Sequence, residues 1–287
     1  MRLDDDDRSN VEDRRSQGSV LGRSGVHLGV GGTLVVLVLS LLFKQNLFAL
    51  LGTDSGAGGG GGPPPSAAPS HAAQARQAEE AALERVAVGA FNDAQRVWSE
   101  KIEGYRQAKL VLFWDGIASG CGDASADMGP FYCPADERVY IDLGFYRELA
   151  ARFGAPGQFA QAYVIAHEVG HHLQKVLGIE RKLRAAQERD PSRRNALSVR
   201  MELQADCFAG AWGKAADRRH LLDPGEVGQG LAAAAAVGDD RLQKAATGRV
   251  NPDSFTHGSA EQRARWFRRG FDAGELSACD TFAARTP

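Results

Sequence analysis

The chain has 287 residues, enough to bury one sizeable hydrophobic core once polar tails are set aside. A formal net charge of −2, with no basic stripe along the sequence, excludes the electrostatic footprint of a nucleic-acid-binding protein. A hydrophobic fraction of 43% is typical of a globular chain, although one block of it has the length of a membrane segment.

The N-terminal region predicts a membrane anchor. Residues 1–25 are polar and charged, and we expect them to form a disordered cytoplasmic tail. Residues 26–43 carry no formal charge, which is near the shortest length for a transmembrane helix. The basic residues that flank them are Arg2, Arg8, Arg14, Arg15 and Arg23 on one side and Lys44 on the other. The positive-inside rule therefore predicts a single-pass protein of the cell inner membrane, with a cytoplasmic N-terminus and a periplasmic or extracytoplasmic domain. A cleaved signal peptide is the alternative, but the region before the apolar run is long and no small-x-small cleavage site follows it.

A linker and a folded domain follow the predicted anchor. Residues 52–74 are rich in Gly, Pro and Ser without periodic apolar positions, which predicts an extended tether. Helical spacing of apolar residues then runs over residues 77–102, and short β-type runs occupy residues 110–114 and 138–142. We therefore place the folded domain at residues 75–287.

The second half of the domain reads as a series of helices. The first carries apolar residues every three to four positions from Phe159 to Leu177, and the next covers the run NALSVRMELQADCFAGAW. Asp223 is predicted to cap a third helix, and Ser259 with Gln262 forms a capping box for the last one. The fold class is therefore α+β, mainly helical with a small sheet, preceded by one transmembrane helix.

Four cysteines fall in the part of the chain predicted to lie outside the cytoplasm, where disulfides persist. Cys121 and Cys133 close a short loop that has little else to hold it, which leaves Cys207 and Cys279 as the second pair. A zinc site made of cysteines is the competing interpretation, but the chain has no C-x-x-C spacing.

The run AYVIAHEVGHHLQ contains the pattern His-Glu-x-x-His at His167, Glu168 and His171. Residues four apart lie on one face of a helix, so the two imidazoles can reach the same metal ion. The glutamate lies about 100° around the helix axis, beside the metal position, where it can activate water. His172 points off that face, and we expect a surface or supporting position for it.

A catalytic zinc site needs a third protein ligand. A third histidine ten residues after the first is absent, because that position is Leu177. The run MELQADC instead offers Glu202 and Asp206, one helical turn apart and among apolar residues. We predict Glu202 as the third ligand, and Asp206 as the acceptor of a hydrogen bond from the free N–H of a ligating imidazole. A solvated acidic face is the alternative interpretation of this pair.

Together these residues carry a resemblance. HEVGH followed by ELQAD resembles the gluzincin pattern of zinc metallopeptidases. The runs FYCP, VYIDLGFY, AYVIAHEVGHHLQ, ELQADCFAGAW and FTHGSAEQRARWF are similar to a bacterial family of neutral zinc metallopeptidases over roughly residues 75–282. The resemblance implies a zincin-like domain that faces outward from the membrane, binds Zn²⁺ and acts on a peptide or protein substrate.

Hydrolysis also requires a group that stabilises the oxyanion, besides the metal. His257, on a loop before the last predicted helix, is the first candidate, although packing at the helix entry is an alternative role. Tyr163 and Tyr140 are weaker candidates. Arg263, one turn into the last helix, is predicted to orient one of the two acidic residues of the ELQAD run.

The sequence thus predicts a membrane-anchored zinc metallopeptidase that hydrolyses peptide bonds with metal-activated water. Two alternatives remain open. One is an inactive or structural-zinc envelope protein that binds peptides or partners, in which a residue such as His257 would close the metal site. The other is a zinc hydrolase that acts on something other than protein, such as a cell-wall peptide. The sequence does not separate these, because substrate choice depends on cleft shape and not on the zinc motif.

Overall fold

A computed structural model describes residues 1–3, 5–17, 71–152 and 154–287. This part of the chain contains eight α-helices: α1 (His71–Lys101), α2 (Gly144–Ala151), α3 (Gln158–Val176), α4 (Ile179–Arg189), α5 (Arg194–Arg218), α6 (Glu226–Ala236), α7 (Asp239–Thr247) and α8 (Ala260–Ala273). It contains six strands: β1 (Val11–Asp13), β2 (Lys109–Phe113), β3 (Gly116–Ser119), β4 (Gly122–Ser125), β5 (Phe131–Cys133) and β6 (Arg138–Asp142). The predicted class, mainly helical with a small sheet, is confirmed.

The main sheet has four strands in the order β1-β2-β6-β5. β1, β2 and β6 run parallel, while β5 pairs antiparallel with β6 at the opposite edge from β1. Two strands were expected from the sequence; β5 was missed because it has only three residues, too few for a periodic pattern. β3 and β4 form a separate antiparallel hairpin, which the sequence analysis also missed.

Both faces of the central strands are covered. Leu110, Leu112, Val139 and Ile141 join the main core with the helices, whereas Val111, Phe113 and Tyr140 join a smaller cluster with the β3–β4 hairpin. This explains why β2 reads as a continuous apolar run, as strands of parallel sheets buried on both faces do.

The helices that carry HEVGH and ELQAD pack closely. A Cβ atom on Gly170 of α3 would lie 3.1 Å from both the Cα and the carbonyl oxygen of Ala205 on α5. The glycine therefore lets the two helices approach at the level of the motif residues. The capping box predicted at Ser259 is present at the start of α8, with both of its reciprocal bonds.

The two predicted disulfides are confirmed. Cys121 pairs with Cys133, and Cys207 of α5 pairs with Cys279 just after α8. The second bond closes a long segment of chain and ties the middle of α5 to the turn that follows α8, the helix that packs against α5.

The structure corrects the prediction of a disordered tail at residues 1–25 for the part that it describes. Val11–Asp13 forms β1 at the edge of the main sheet, and Arg15 forms an ion pair with Glu84 of α1. The segment is ordered by hydrogen bonds to the edge of β2 and by ion pairs with distant residues. Its polar sequence alone therefore does not predict this order.

The predicted anchor at residues 26–43 lies outside the described residues, as do residues 52–70 of the predicted linker; residues 71–74 belong to α1 rather than to a tether. Among the described helices, none combines the length and apolar character needed to cross a bilayer.

Two helices also differ from expectation. The helix predicted to be capped by Asp223 begins at Glu226, whose side chain accepts the backbone N–H of Asp223 at 2.8 Å. Residues 179–189, for which no helix was predicted, form α4, which exposes much of its surface and has no buried residue.

Candidate metal centre

Three side chains from two helices converge on one point. His167 Nε2 and His171 Nε2 of α3 lie 3.2 Å apart, and Glu202 of α5 places one carboxylate oxygen 3.3 Å from the first and the other 3.5 Å from the second. Two ligand atoms on a tetrahedral zinc, each at about 2.05 Å from the metal, lie about 3.3 Å apart. The separation of the two histidine nitrogens matches this value, and one ligand atom from each of the three residues lies within 4.8 Å of the other two, so the group can share a metal ion. Two imidazoles with one carboxylate are a donor set that suits zinc.

Each imidazole is oriented by a partner on its other nitrogen. Asp206 Oδ1 lies 2.9 Å from His167 Nδ1. Gln174 Oε1 lies 2.9 Å from His171 Nδ1, while its amide nitrogen donates to the carbonyl oxygen of Met201 at 2.7 Å. Both partners act as acceptors, so each Nδ1 carries a proton and each Nε2 can bind a metal ion once its own proton is displaced.

The charges around the three ligands favour a cation. Burial opposes a proton on His167, but the carboxylates of Asp206 and Glu202 outweigh it and raise the pKa of His167 to about 10. Burial likewise opposes ionisation of Glu202, but the two neighbouring histidines lower its pKa well below the usual value. The same carboxylates that attract a proton here also attract a dication, so binding of metal at this point displaces protons.

Asp206 is buried with no exposed surface, and its charge is compensated from a third helix. Arg263 of α8 donates from Nε to Asp206 Oδ2 at 2.8 Å and from a terminal nitrogen to Oδ1 at 3.0 Å. The Tyr163 hydroxyl donates to the same Oδ1 at 2.5 Å. Burial raises the pKa of Asp206, but Arg263 and His167 dominate and lower it to about 2. The carboxylate therefore stays charged behind the ligand that it orients.

Glu168, beside the convergence point, has a different environment. It is only 8% exposed and lines the same cleft as the three ligands. Burial raises the pKa of Glu168, although the two histidines oppose this. A carboxylate with a raised pKa is a better proton acceptor at neutral pH than an ordinary glutamate.

His257 lies on the rim of the same cleft, in the loop before α8. Its Nδ1 lies 3.1 Å from Asp239 Oδ1 at the start of α7, and its side chain is about half exposed. Asp239 Oδ2 also accepts three backbone N–H groups, from Thr256, His257 and Gly258. The bond to Asp239 raises the pKa of His257, against its burial. One carboxylate thus shapes the loop and holds the imidazole.

The cleft has a volume of about 1220 Å³ and is bordered on one side by the chain segment that leads into β5. Tyr132 of β5 is fastened to the motif helix, because its hydroxyl lies 3.0 Å from His172 Nδ1. His172 is fully buried, and its Nε2 lies 2.5 Å from the carbonyl oxygen of Arg106. His172 therefore joins the edge strand β5 to α3. Of the two positions expected for it, surface or supporting, the structure shows the supporting one.

The structure thus brings together the residues predicted as ligands, with Glu168 and Asp206 beside them and His257 on the rim. Arg263 contacts Asp206 and not Glu202. Tyr140 is elsewhere, on the sheet face below the β3–β4 hairpin, where it donates to Asp136 at 2.6 Å. The sequence analysis missed Gln174 and Asp239; the only sequence signal for Gln174 was its position three residues after a predicted ligand on the same helix.

Comparison with known proteins finds one family model and several uncharacterised relatives. Residues 1–282 match the family model described as "Putative neutral zinc metallopeptidase". The chain is 44% identical over 281 residues to the uncharacterised protein YpfJ of Escherichia coli (strain K12), covering 95% of both chains. It is 43% identical over 208 residues to the uncharacterised protein Rv2575 of Mycobacterium tuberculosis (strain H37Rv), covering 69% of this chain and 70% of that one. No solved structure matches the chain.

Proposed function

The chain belongs to the neutral zinc metallopeptidase family, and from this membership and its metal centre we propose that it is a zinc-dependent hydrolase of peptide bonds. The observation that carries the proposal is the convergence of His167, His171 and Glu202, whose candidate ligand atoms, one from each residue, all lie within 4.8 Å of one another. Within the described residues the metal-binding group has three members, all of which line the cleft, and His257 is not one of them. Three protein ligands beside an open cleft favour a catalytic site over a structural one.

The chemistry divides among four side chains. A zinc ion held by the three ligands supplies a Lewis acid that polarises the scissile carbonyl and lowers the pKa of water to about 7. Glu168 accepts a proton from the attacking water and later delivers it to the leaving amine nitrogen. Asp206 holds His167 in the tautomer that binds metal through Nε2. His257 donates a hydrogen bond to the oxyanion that develops on the carbonyl oxygen.

The form of the cleft supports a peptide as the substrate. Its volume of about 1220 Å³ exceeds that of a typical small-molecule pocket, about 300–1,000 Å³. β5 pairs with β6 on one side only among the described strands, and Phe131 and Tyr132 line the cleft. An extended peptide can add to such a strand edge through main-chain hydrogen bonds. We also propose that the fold is zincin-like. The antiparallel edge strand β5, which lies beside the motif helix α3, supports this assignment.

The two disulfides support a location outside the cytoplasm. Such bonds persist in oxidising compartments and are rare in a reducing cytosol. We propose that the catalytic domain works in the periplasm or an equivalent extracytoplasmic space.

The test is zinc content combined with hydrolysis of an unstructured protein such as casein, measured on the full chain with and without a chelator. We expect about one zinc per chain and cleavage that stops with the chelator and returns with added zinc. One zinc without cleavage of casein or of cell-wall peptides would favour the peptide-binding alternative. Absence of zinc would overturn the proposal.

A second prediction concerns His257. The variant His257→Ala is expected to lower kcat by about 10²-fold, with little change in KM, because the lost donor acts only on the developing oxyanion. Asp239→Asn removes the charge that raises the pKa of His257. If kcat falls at high pH because His257 loses its proton, this fall should begin at a lower pH in the variant. The control is Lys244→Ala, an exposed change on the same helix α7. If His257→Ala and Lys244→Ala have equal kcat values, His257 has no catalytic role.

A further inference from the structure

The segment of residues 1–3 and 5–17 is part of the catalytic domain. β1 pairs in parallel with β2 over three residues, with Val11 opposite Leu110 and Asp13 opposite Leu112. The pairing extends one residue beyond each end of β1. The Leu110 N–H donates to the carbonyl oxygen of Asn10 at 2.9 Å, and the Arg14 N–H donates to the carbonyl oxygen of Leu112 at 2.8 Å. β1 therefore satisfies backbone groups of β2 that would otherwise lie unpaired at the sheet edge.

Charged side chains fix the same segment at both ends of β1. Arg15 forms an ion pair of 2.7 Å with Glu84 of α1, and Arg8 contacts the same carboxylate. Glu12 lies 3.2 Å from Arg138 of β6 and 3.3 Å from Lys109 of β2. The pairs of Arg15 with Glu84 and of Arg138 with Glu12 are partly buried, and together the charges form a network, which is the arrangement in which ion pairs contribute most.

The beginning of the segment contacts the loop before α6 and helix α1. Arg2 donates its backbone N–H to Leu221 at 2.8 Å and forms an ion pair of 3.0 Å with Asp223, both in the loop before α6. Leu3 packs against the core at Gly89 of α1, where an added Cβ would lie 2.8 Å from the Leu3 Cβ. The contacts of the segment therefore include strands β2 and β6, helix α1 and the loop before α6.

From these contacts we infer that residues 1–17 and the catalytic domain of residues 71–287 lie on the same side of any membrane. A strand hydrogen-bonded to β2 cannot be separated from it by a hydrocarbon layer of about 30 Å. A single crossing at residues 26–43 would place the two parts on opposite sides, so this inference replaces the expected topology of a cytoplasmic N-terminus and an external domain. Since the disulfides favour an oxidising compartment, the N-terminal segment is exported together with the domain.

The first test asks whether residue 3 touches residue 89 in the folded full chain. Alanine is favoured over glycine inside a helix by about 1 kcal/mol, so Gly89→Ala should raise Tm by about 2–4 °C if nothing obstructs its Cβ. With Leu3 in contact, we expect Gly89→Ala to lower Tm instead. In the Leu3→Gly background, which removes the opposing Cβ, the same Gly89→Ala change should raise Tm. An equal rise of Tm in both backgrounds would show that the segment is not docked.

The second test asks about the membrane directly. In bacterial cells that express the full chain, Asp6→Cys and Glu261→Cys each add one exposed thiol, because the four native cysteines are all in disulfides. Each variant is treated with a membrane-impermeant maleimide before and after lysis. Labelling of both thiols in intact spheroplasts supports the inference. Labelling of both thiols only after lysis also supports it, but would overturn the extracytoplasmic location proposed above. Labelling of one in intact spheroplasts and of the other only after lysis overturns the inference.

Discussion

Replacing Glu168 with glutamine is expected to leave zinc bound and to lower kcat for peptide hydrolysis by about 10²- to 10⁴-fold. Glutamine keeps the size of the side chain in its buried position, so the fold and the three ligands are preserved. It cannot accept a proton from water, however, so the step that generates the nucleophile is lost. The measurement is kcat on a casein-derived peptide, with the zinc content of the same sample.

The contrasting variant is Glu202→Ala. It removes one of the three ligands, so zinc content itself should fall, and hydrolysis with it. The two variants therefore separate loss of the base from loss of the metal. Turnover at the wild-type rate in Glu168→Gln would remove Glu168 from the mechanism, and unchanged zinc content in Glu202→Ala would require a different third ligand.

Replacing Arg263 with methionine is expected to lower the free energy of unfolding of the zinc-free protein by about 3–5 kcal/mol. Arg263 is 4% exposed and donates two hydrogen bonds to Asp206, which has no exposed surface. Its removal leaves a buried carboxylate without its main counter-charge, and the pKa of Asp206 should rise from its lowered value. The measurement is chemical denaturation of the full chain in the presence of a chelator.

The matched control is Arg265→Met on the same helix. Arg265 is about half exposed and its ion pair with Glu261 is 3.7 Å long, so its loss should cost less than about 1 kcal/mol. A further readout is zinc affinity, which should fall about 10- to 100-fold in Arg263→Met because Asp206 no longer holds His167 firmly. Equal stability of the two variants would contradict the role assigned to Arg263.

Several features of the site depended only on local sequence. His167 and His171 share a helix face, as do Glu202 and Asp206, because residues four apart on any α-helix lie one turn apart. The capping box at Ser259 depends on four consecutive residues. For such features the chain near the residue supplies the whole geometry, so they could be predicted without knowing the fold.

The partners of these residues were decided by the tertiary structure. Arg263 could have reached either acidic residue of α5, and only the packing of α8 against α5 directs it to Asp206. Asp239 gave no sequence signal, since it lies 18 residues from His257 and meets it only where the start of α7 approaches the loop before α8.

The N-terminal segment shows the same limit most clearly. Residues 1–25 were predicted to be a disordered tail because they are polar and charged, yet β1 (Val11–Asp13) pairs with a strand about a hundred residues later in the chain. The sequence by itself therefore determined most of the helices and which motif residues share a helix face, because both follow from local periodicity. Contacts between distant segments decided which strands pair, which charged residues meet and where the N-terminal segment docks. No local sequence pattern records such contacts.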